Sequence, residues 1–113
     1  GFTVGARQEV VLRDRQSLAE DGMFVIIATV NSKNGKLRKS PDIISRGFVD
    51  LRESQQLLSE ARILIKKTVE KQTERMNPIN LDLVKDELTD VVSAFLMQRT
   101  NKSPMVIPVL IGI

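Results

Sequence analysis

The sequence predicts an α+β fold: a small three-stranded sheet, built from a hairpin and a C-terminal strand, with two antiparallel helices on one face. Three observations predict it. The β-branched run Met23–Val30 is followed by Asn34-Gly35, the strongest short hairpin signal, because both central residues of a type I′ turn need positive φ. Two later segments carry apolar residues at three- and four-residue spacing. Residues 105–111 then form a short apolar run that favours a final strand.

The remaining elements follow in chain order. Residues 5–20 predict a short N-terminal helical segment that ends at Asp21-Gly22. The second strand should occupy residues 36–49, interrupted near Ser40-Pro41, because proline lacks the backbone N–H that a strand ladder needs. We therefore divide the chain into an N-terminal helical or linker segment, residues 1–22, and a β-β-α-α-β domain, residues 23–113.

The two predicted helices have recognisable ends. The first should run over residues 53–75 and stop before Asn77-Pro78. Asn80 or Asp82 can cap the second, whose last turn carries Arg99 and which should end at Ser103-Pro104.

The composition excludes several classes of function. The 113 residues have 42% hydrophobic and 27% charged content, typical of one globular domain, and contain neither His nor Cys. A zinc site with nitrogen and sulfur ligands, a disulfide, and Ser-His or Cys-His catalysis are therefore impossible within this chain. The first residues lack the pattern of a signal peptide, and the longest apolar run is too short to cross a bilayer. We expect a cytoplasmic protein with no membrane partner and no catalytic residue in this chain.

The strands are apolar on both sides, which two helices on one face do not explain. The predicted hairpin register places Val25 opposite Ile44 and Met23 opposite Arg46. We assign the face without charges to the helices and the mixed face to a partner, and a bulge at Pro41 that shifted the register by one would swap this assignment. The N-terminal segment is the alternative cover. The candidate partner-interface residues are Met23, Val25, Ile27, Ile44, Arg46 and Phe48.

Two groups of charged residues have alternative interpretations. Asp82, Asp86 and Asp90 follow one another at four-residue spacing and could hold Mg²⁺, although such a stripe is more often a solvated helix face. The basic hairpin could contact an RNA backbone or simply keep the hairpin soluble. The candidate RNA-contact residues are Lys33, Lys36, Arg38, Lys39 and Arg46. The chain has no Trp or Tyr on which bases could stack.

Several segments resemble the C-terminal domain of bacterial ribonuclease J, a family of metallo-β-lactamase/β-CASP nucleases. They are the run Pro41-Asp42-Ile43-Ile44-Ser45-Arg46-Gly47-Phe48-Val49, the following Arg52-Glu53-Ser54, the turn Lys33-Asn34-Gly35-Lys36, and the ending from Arg99-Thr100-Asn101-Lys102-Ser103-Pro104 into Met105-Val106-Ile107-Pro108-Val109. The N-terminal Val11-Leu12-Arg13-Asp14-Arg15 agrees in type and order. The resemblance therefore covers nearly the whole chain.

The resemblance implies that this chain is part of a zinc-dependent ribonuclease with 5′-to-3′ exonuclease and endonuclease activity in RNA maturation and decay. The zinc motifs of that family lie in upstream domains, so no cofactor and no catalytic residue is expected here. The family's C-terminal domain supports self-association, which implies a second copy and the upstream catalytic domains as partners, with RNA bound through the whole enzyme. The alternatives are an RNA-backbone-contacting module of that enzyme, or a freestanding non-catalytic protein-interaction domain.

Overall fold

The computed structural model of the chain describes residues 21–48 and 54–113. The order of elements is β1 (Met23–Val30), β2 (Asp42–Arg46), α1 (Gln55–Thr73), α2 (Leu81–Thr100) and β3 (Met105–Gly112). The predicted α+β class and the order β-β-α-α-β are confirmed. The second strand, predicted over residues 36–49, is shorter in the structure: it spans Asp42–Arg46 and is preceded by an isolated bridge at Leu37. Its last predicted residue and the predicted N-terminal helical segment lie outside the described residues, except for Asp21 and Gly22.

The three strands form one mixed sheet in the order β2-β1-β3. β1 pairs antiparallel with β2 and parallel with β3, so β1 lies at the centre. A parallel pair needs a long crossover connection, and here α1 and α2 belong to the connection that returns the chain to the far side of β1. The parallel pairing is an addition to the prediction, which specified only a hairpin and a third strand.

The predicted hairpin register is confirmed, but the loop that produces it differs from a two-residue turn. Met23 pairs with Arg46 and Val25 with Ile44. At the loop, however, Val30 forms a bridge with Leu37, and Asn31 N donates to Lys36 O at 2.9 Å. The pairing shifts by two residues between Leu37 and Asp42. Because side chains alternate with a period of two, this even shift leaves every β2 side chain on its predicted face.

The helices cover the face of the sheet that carries no charge, as predicted. Its β1 side chains are at most 2% exposed, namely Phe24, Ile26, Ala28 and Val30. The helices pack a row of buried apolar residues against them: Leu58, Ala61, Ile65 and Val69 from α1, and Val84, Leu88, Val92 and Leu96 from α2. This layer is the hydrophobic core of the domain.

Phe48 is an exception to the predicted faces, and its assignment to the partner face was wrong. Its side chain is 4% exposed and belongs to the core, where its ring meets the ring of Phe24 edge to face at 6.0 Å between centroids. The strand alternation ends at Arg46, and Gly47 adopts φ +66°. This left-handed residue turns the backbone so that Phe48 packs on the helix side.

The helix ends show which of the predicted signals operate. The Asn80 side chain caps α2 by accepting from the backbone N–H groups of Asp82 at 3.1 Å and Leu83 at 3.3 Å. At the other end Asn101 takes φ +60° and its N–H donates to Met97 O at 2.8 Å. Arg99, in the last turn, pairs with Glu60 of α1 and thereby also links the two helices.

Candidate partner-binding face

The side of the sheet opposite the helices forms a continuous, mainly apolar surface, which we call the open face. In the described parts of the chain, both helices pack on the other side of the sheet. The open face consists of Met23, Val25, Ile27 and Thr29 of β1, Asp42, Ile44 and Arg46 of β2, and Met105, Ile107, Val109 and Ile111 of β3. The alternative cover, residues 1–20, lies outside the described residues.

Strand pairing arranges the open face in rows that run across the three strands. The central row is apolar throughout and consists of Ile44, Val25 and Ile107. One flanking row ends in a cation and consists of Arg46, Met23 and Met105. The other ends in an anion and consists of Asp42, Ile27 and Val109. The sequence predicted the β1 and β2 members, whereas the β3 members depend on the parallel register.

Several of these apolar side chains are accessible to solvent. Ile44 is 43% exposed, Val109 38% and Ile111 45%. Those of Met23, Val25, Ile27, Met105 and Ile107 are half-buried. A contiguous patch of large apolar side chains differs from singly scattered ones, because such patches mark interaction surfaces. The open face can therefore bind another apolar surface.

The two charges of the open face lie on the same edge strand. Asp42 is exposed, and Lys39 Nζ approaches its carboxylate at 3.5 Å, with both side chains more than half exposed. Such an exposed pair contributes little stability. Arg46 is exposed and makes no ion pair with any other described residue. Arg46 can therefore pair with a partner's carboxylate, and Asp42 can exchange its weak, exposed Lys39 pair for a partner's cation.

The structure separates the candidate RNA-contact residues into two groups. Lys33, Lys36, Arg38 and Lys39 are exposed in and after the β1–β2 loop. Arg46 pairs with Met23 at the opposite end of β1, about 20 Å away at the rise of a strand. Arg46 therefore belongs to the open face and does not extend the basic loop.

Two basic residues that the sequence analysis did not select lie beside this loop. Arg62 and Lys66 of α1 line a groove together with Arg38 and Lys39. Sequence spacing indicates that Arg62 and Lys66 share a helix face, four residues apart. Their closeness to the loop follows only from the docking of the hairpin on α1.

The residues present do not fit a bound zinc ion. The chain has neither His nor Cys, and the described segments contain no group of three Asp or Glu residues placed to hold a metal. Asp82, Asp86 and Asp90 are exposed on α2, where the carboxylate of Asp82 is 3.9 Å from Lys85 Nζ. Among the described residues these three carboxylates therefore form a solvated helix face.

The family model described as the ribonuclease J C-terminal domain matches residues 10–113. The chain belongs to this family. The chain is similar to proteins named Ribonuclease J 2. The one from Staphylococcus epidermidis is 41% identical over 97% of this chain, and the one from Staphylococcus saprophyticus is 40% identical over the same share. The Staphylococcus aureus protein of that name is 39% identical over 97% of this chain.

The ribonuclease J C-terminal domain accounts for only a part of each of these relatives. The chain spans 20% of their length. In the described residues of the domain, no helix is both long and apolar enough to cross a membrane. The family match over residues 10–113 confirms the resemblance that the sequence segments indicate.

Proposed function

We propose that this domain is a non-catalytic self-association domain of a ribonuclease J-like enzyme, and that its open face binds the open face of a second copy. The observation that carries the proposal is the arrangement of the three rows, with an apolar row between one that ends in Arg46 and one that ends in Asp42. The absence of His and Cys rules out zinc sites with nitrogen and sulfur ligands and Ser-His or Cys-His catalysis within this chain, which is consistent with a non-catalytic role.

The open face is complementary to itself. Consider a twofold axis that lies between two facing sheets and runs along the central row through Ile44, Val25 and Ile107. The axis reverses the strand direction, so the Arg46 row of one copy lies over the Asp42 row of the other. Every apolar residue of the three rows then faces an apolar residue of the other copy. Two Arg46–Asp42 pairs form across the interface. A twofold interface requires this kind of self-complementary surface.

Packing two sheets face to face is a common way to bury such surfaces, with about 10 Å between the sheets. The open face is small, about 10 Å between the outer strands and about 20 Å along them. A standard interface buries about 800 Å² on each partner. We therefore expect weak association of this chain alone, reinforced by further contacts in a longer protein.

Ile44→Asp is the variant that tests the proposal, since Ile44 lies in the central row and is 43% exposed. The charge should break association without unfolding the chain. Sedimentation equilibrium over a concentration series should show a dimer for the parent chain and a monomer for the variant. Val25→Asp, in the same row, should act in the same direction.

Leu83→Asp is the matched control. Leu83 is 56% exposed on α2 and lies on the helix side, outside the open face. It should keep the dimer mass. A parent chain that remains monomeric at every concentration would contradict the proposal. So would an Ile44→Asp variant with the parent's mass and a native circular dichroism spectrum.

The enzyme around this domain is part of the proposal. The relatives are named ribonucleases and are about five times longer than this chain. We infer a metal-dependent ribonuclease whose zinc ligands and catalytic residues lie outside this chain. The 5′-to-3′ exonuclease and endonuclease activities, the cytoplasmic location and the role in RNA processing and decay are predictions that rest on the family resemblance.

A further inference from the structure

A basic groove lies between the segment that leads into β2 and the outer face of α1. It has a volume of about 300 Å³ and is lined by residues of both elements: Leu37, Arg38, Lys39, Ser40 and Pro41 on one side, and Arg62, Ile63 and Lys66 on the other. Four of these eight residues are cations and none is an anion. The groove does not include residues of the open face.

Specific contacts fix the two walls of the groove relative to each other. The backbone N–H of Leu37 donates to Glu70 Oε2 at 3.1 Å. Thr73 Oγ1 lies 3.3 Å from Gly35 O, which is a second, longer acceptor for the single hydroxyl proton that Thr73 donates to Val69 O at 2.9 Å. Glu70 and Thr73 both belong to α1, so the loop contacts the helix at two points about one helical turn apart. The cations of the groove are thus held on a defined surface.

Most of the positive charge in the groove is uncompensated. Across the described residues, no ion pair involves Arg38, Arg62 or Lys66. Lys39 is the exception, with Asp42 at 3.5 Å. Arg62 and Lys66 repel one another because like charges four residues apart on a helix are close together. The fold brings two further cations, Arg38 and Lys39 of the loop, beside them. A bound anion would relieve this repulsion.

The basic surface continues beyond the groove. A second hollow of about 530 Å³ shares Leu37 and Arg38 with it and is also lined by Lys36. The two hollows therefore adjoin along Arg38. A linear polyanion with a charge at every residue fits such a continuous basic path better than a single anion does. Arginine guanidinium groups can bind phosphate through two parallel hydrogen bonds.

We propose that this groove binds the phosphodiester backbone of single-stranded RNA through Arg38, Lys39, Arg62 and Lys66. The relatives of this domain are named ribonucleases, which favours RNA over an acidic protein segment as the occupant. The contact is with phosphates and independent of sequence, because the groove offers charges and no aromatic residue on which a base could stack. Exposed Ile63, at the groove wall, can contact a ribose.

The test compares two double variants of the same helix. Arg62→Gln with Lys66→Gln removes two groove cations, and Lys67→Gln with Lys71→Gln removes two exposed cations with the same spacing outside the groove. Fluorescence anisotropy measures binding of a labelled oligouridylate to the 113-residue chain. At low salt the groove variant should bind about tenfold more weakly. The slope of log K against log[salt] should fall in magnitude by about 1.4, because each of the two lost phosphate contacts contributes about 0.7. The control should stay within about twofold of the parent.

A second variant keeps the test valid if the half-buried Arg62 is needed for folding. Arg38→Gln with Lys39→Gln alters the other wall and should weaken binding similarly, with an unchanged circular dichroism spectrum. The proposal is overturned if the parent chain does not bind at low salt, if groove and control variants lose affinity equally, or if polyglutamate displaces RNA as well as unlabelled oligouridylate does. Sedimentation of the same variants should show the parent's mass, which separates this result from self-association.

Discussion

Individual residues fix the β1–β2 loop on α1. Gly35 adopts φ +73° and lies so close to α1 that a Cβ atom there would overlap the side chain of Thr73. Thr73 is 3% exposed, and its hydroxyl donates to Val69 O at 2.9 Å, closer than its 3.3 Å contact with Gly35 O. The Asn34-Gly35 pair is therefore both a turn signal and a packing requirement, and the sequence pattern indicates only the turn.

Gly35→Ala should destabilise the domain by about 2–4 kcal/mol, because left-handed backbone strain and overlap with Thr73 add together. Gly47→Ala is the matched control. Gly47 has φ +66°, but a Cβ there would meet only Gly22 Cα at 3.6 Å, so only the backbone strain of about 1 kcal/mol remains. Urea unfolding followed by circular dichroism measures both. Equal losses in the two variants would contradict the packing argument.

At the scale of the element, α2 depends on its N-terminal cap. Asn80 and Asp82 both fit the sequence pattern for a cap, and the structure assigns the cap to Asn80. Asp82 occupies the first turn, where its exposed carboxylate lies near the positive end of the helix dipole and 3.9 Å from the ammonium of Lys85.

Asn80→Ala should therefore lower the free energy of unfolding by about 1 kcal/mol, because two backbone N–H groups lose their acceptor. Asp82→Ala should cost less than about 0.5 kcal/mol, since its contribution is screened by solvent. Urea titrations of the two variants give the comparison. A larger loss of stability for Asp82→Ala than for Asn80→Ala would show that Asn80 is not the residue that caps α2.

At the scale of the whole molecule, the two faces of the sheet have different roles. One is covered by α1 and α2, and we propose that the other is covered by a second copy. The basic groove lies beside α1, at the edge of the sheet formed by β2, and shares no residue with the open face, which it adjoins through the Lys39–Asp42 ion pair. Self-association and RNA binding can therefore occur together in one enzyme.

The twofold arrangement makes a charge-swap prediction. Arg46→Asp or Asp42→Arg alone should place like charges together at two sites of the dimer and weaken association by about tenfold. The double variant should restore it, because the opposite pairs form again with reversed sign. Sedimentation equilibrium measures the dissociation constants.

Lys39→Gln is the control for this swap, since it removes the Lys39–Asp42 ion pair within the chain and leaves the proposed interface intact. Its mass should match the parent's. A double variant no stronger in association than the single variants would reject the proposed axis along the Ile44 row, even if the open face still mediates contact.

The sequence by itself determined the order β-β-α-α-β and the covered face, although the second strand, predicted over residues 36–49, spans only Asp42–Arg46. β1 was predicted over the residues it occupies, both helices within a few residues, and Met23–Arg46 pairing from the position of Asn34-Gly35. These features follow from side-chain periodicity and turn chemistry, which act over a few residues. Asn34-Gly35 gave the correct register although the loop is longer, because the later two-residue shift restores it.

Only the tertiary structure decided how distant segments meet. The parallel pairing of β3 with β1, the turn at Gly47 that buries Phe48 and the approach of Arg62 and Lys66 to Arg38 are its results. Each depends on which surfaces pack best once the helices close over the sheet, and no local pattern encodes that choice. The open face and the basic groove, on which the two proposals rest, therefore form only when β3 pairs with β1 and the loop docks on α1.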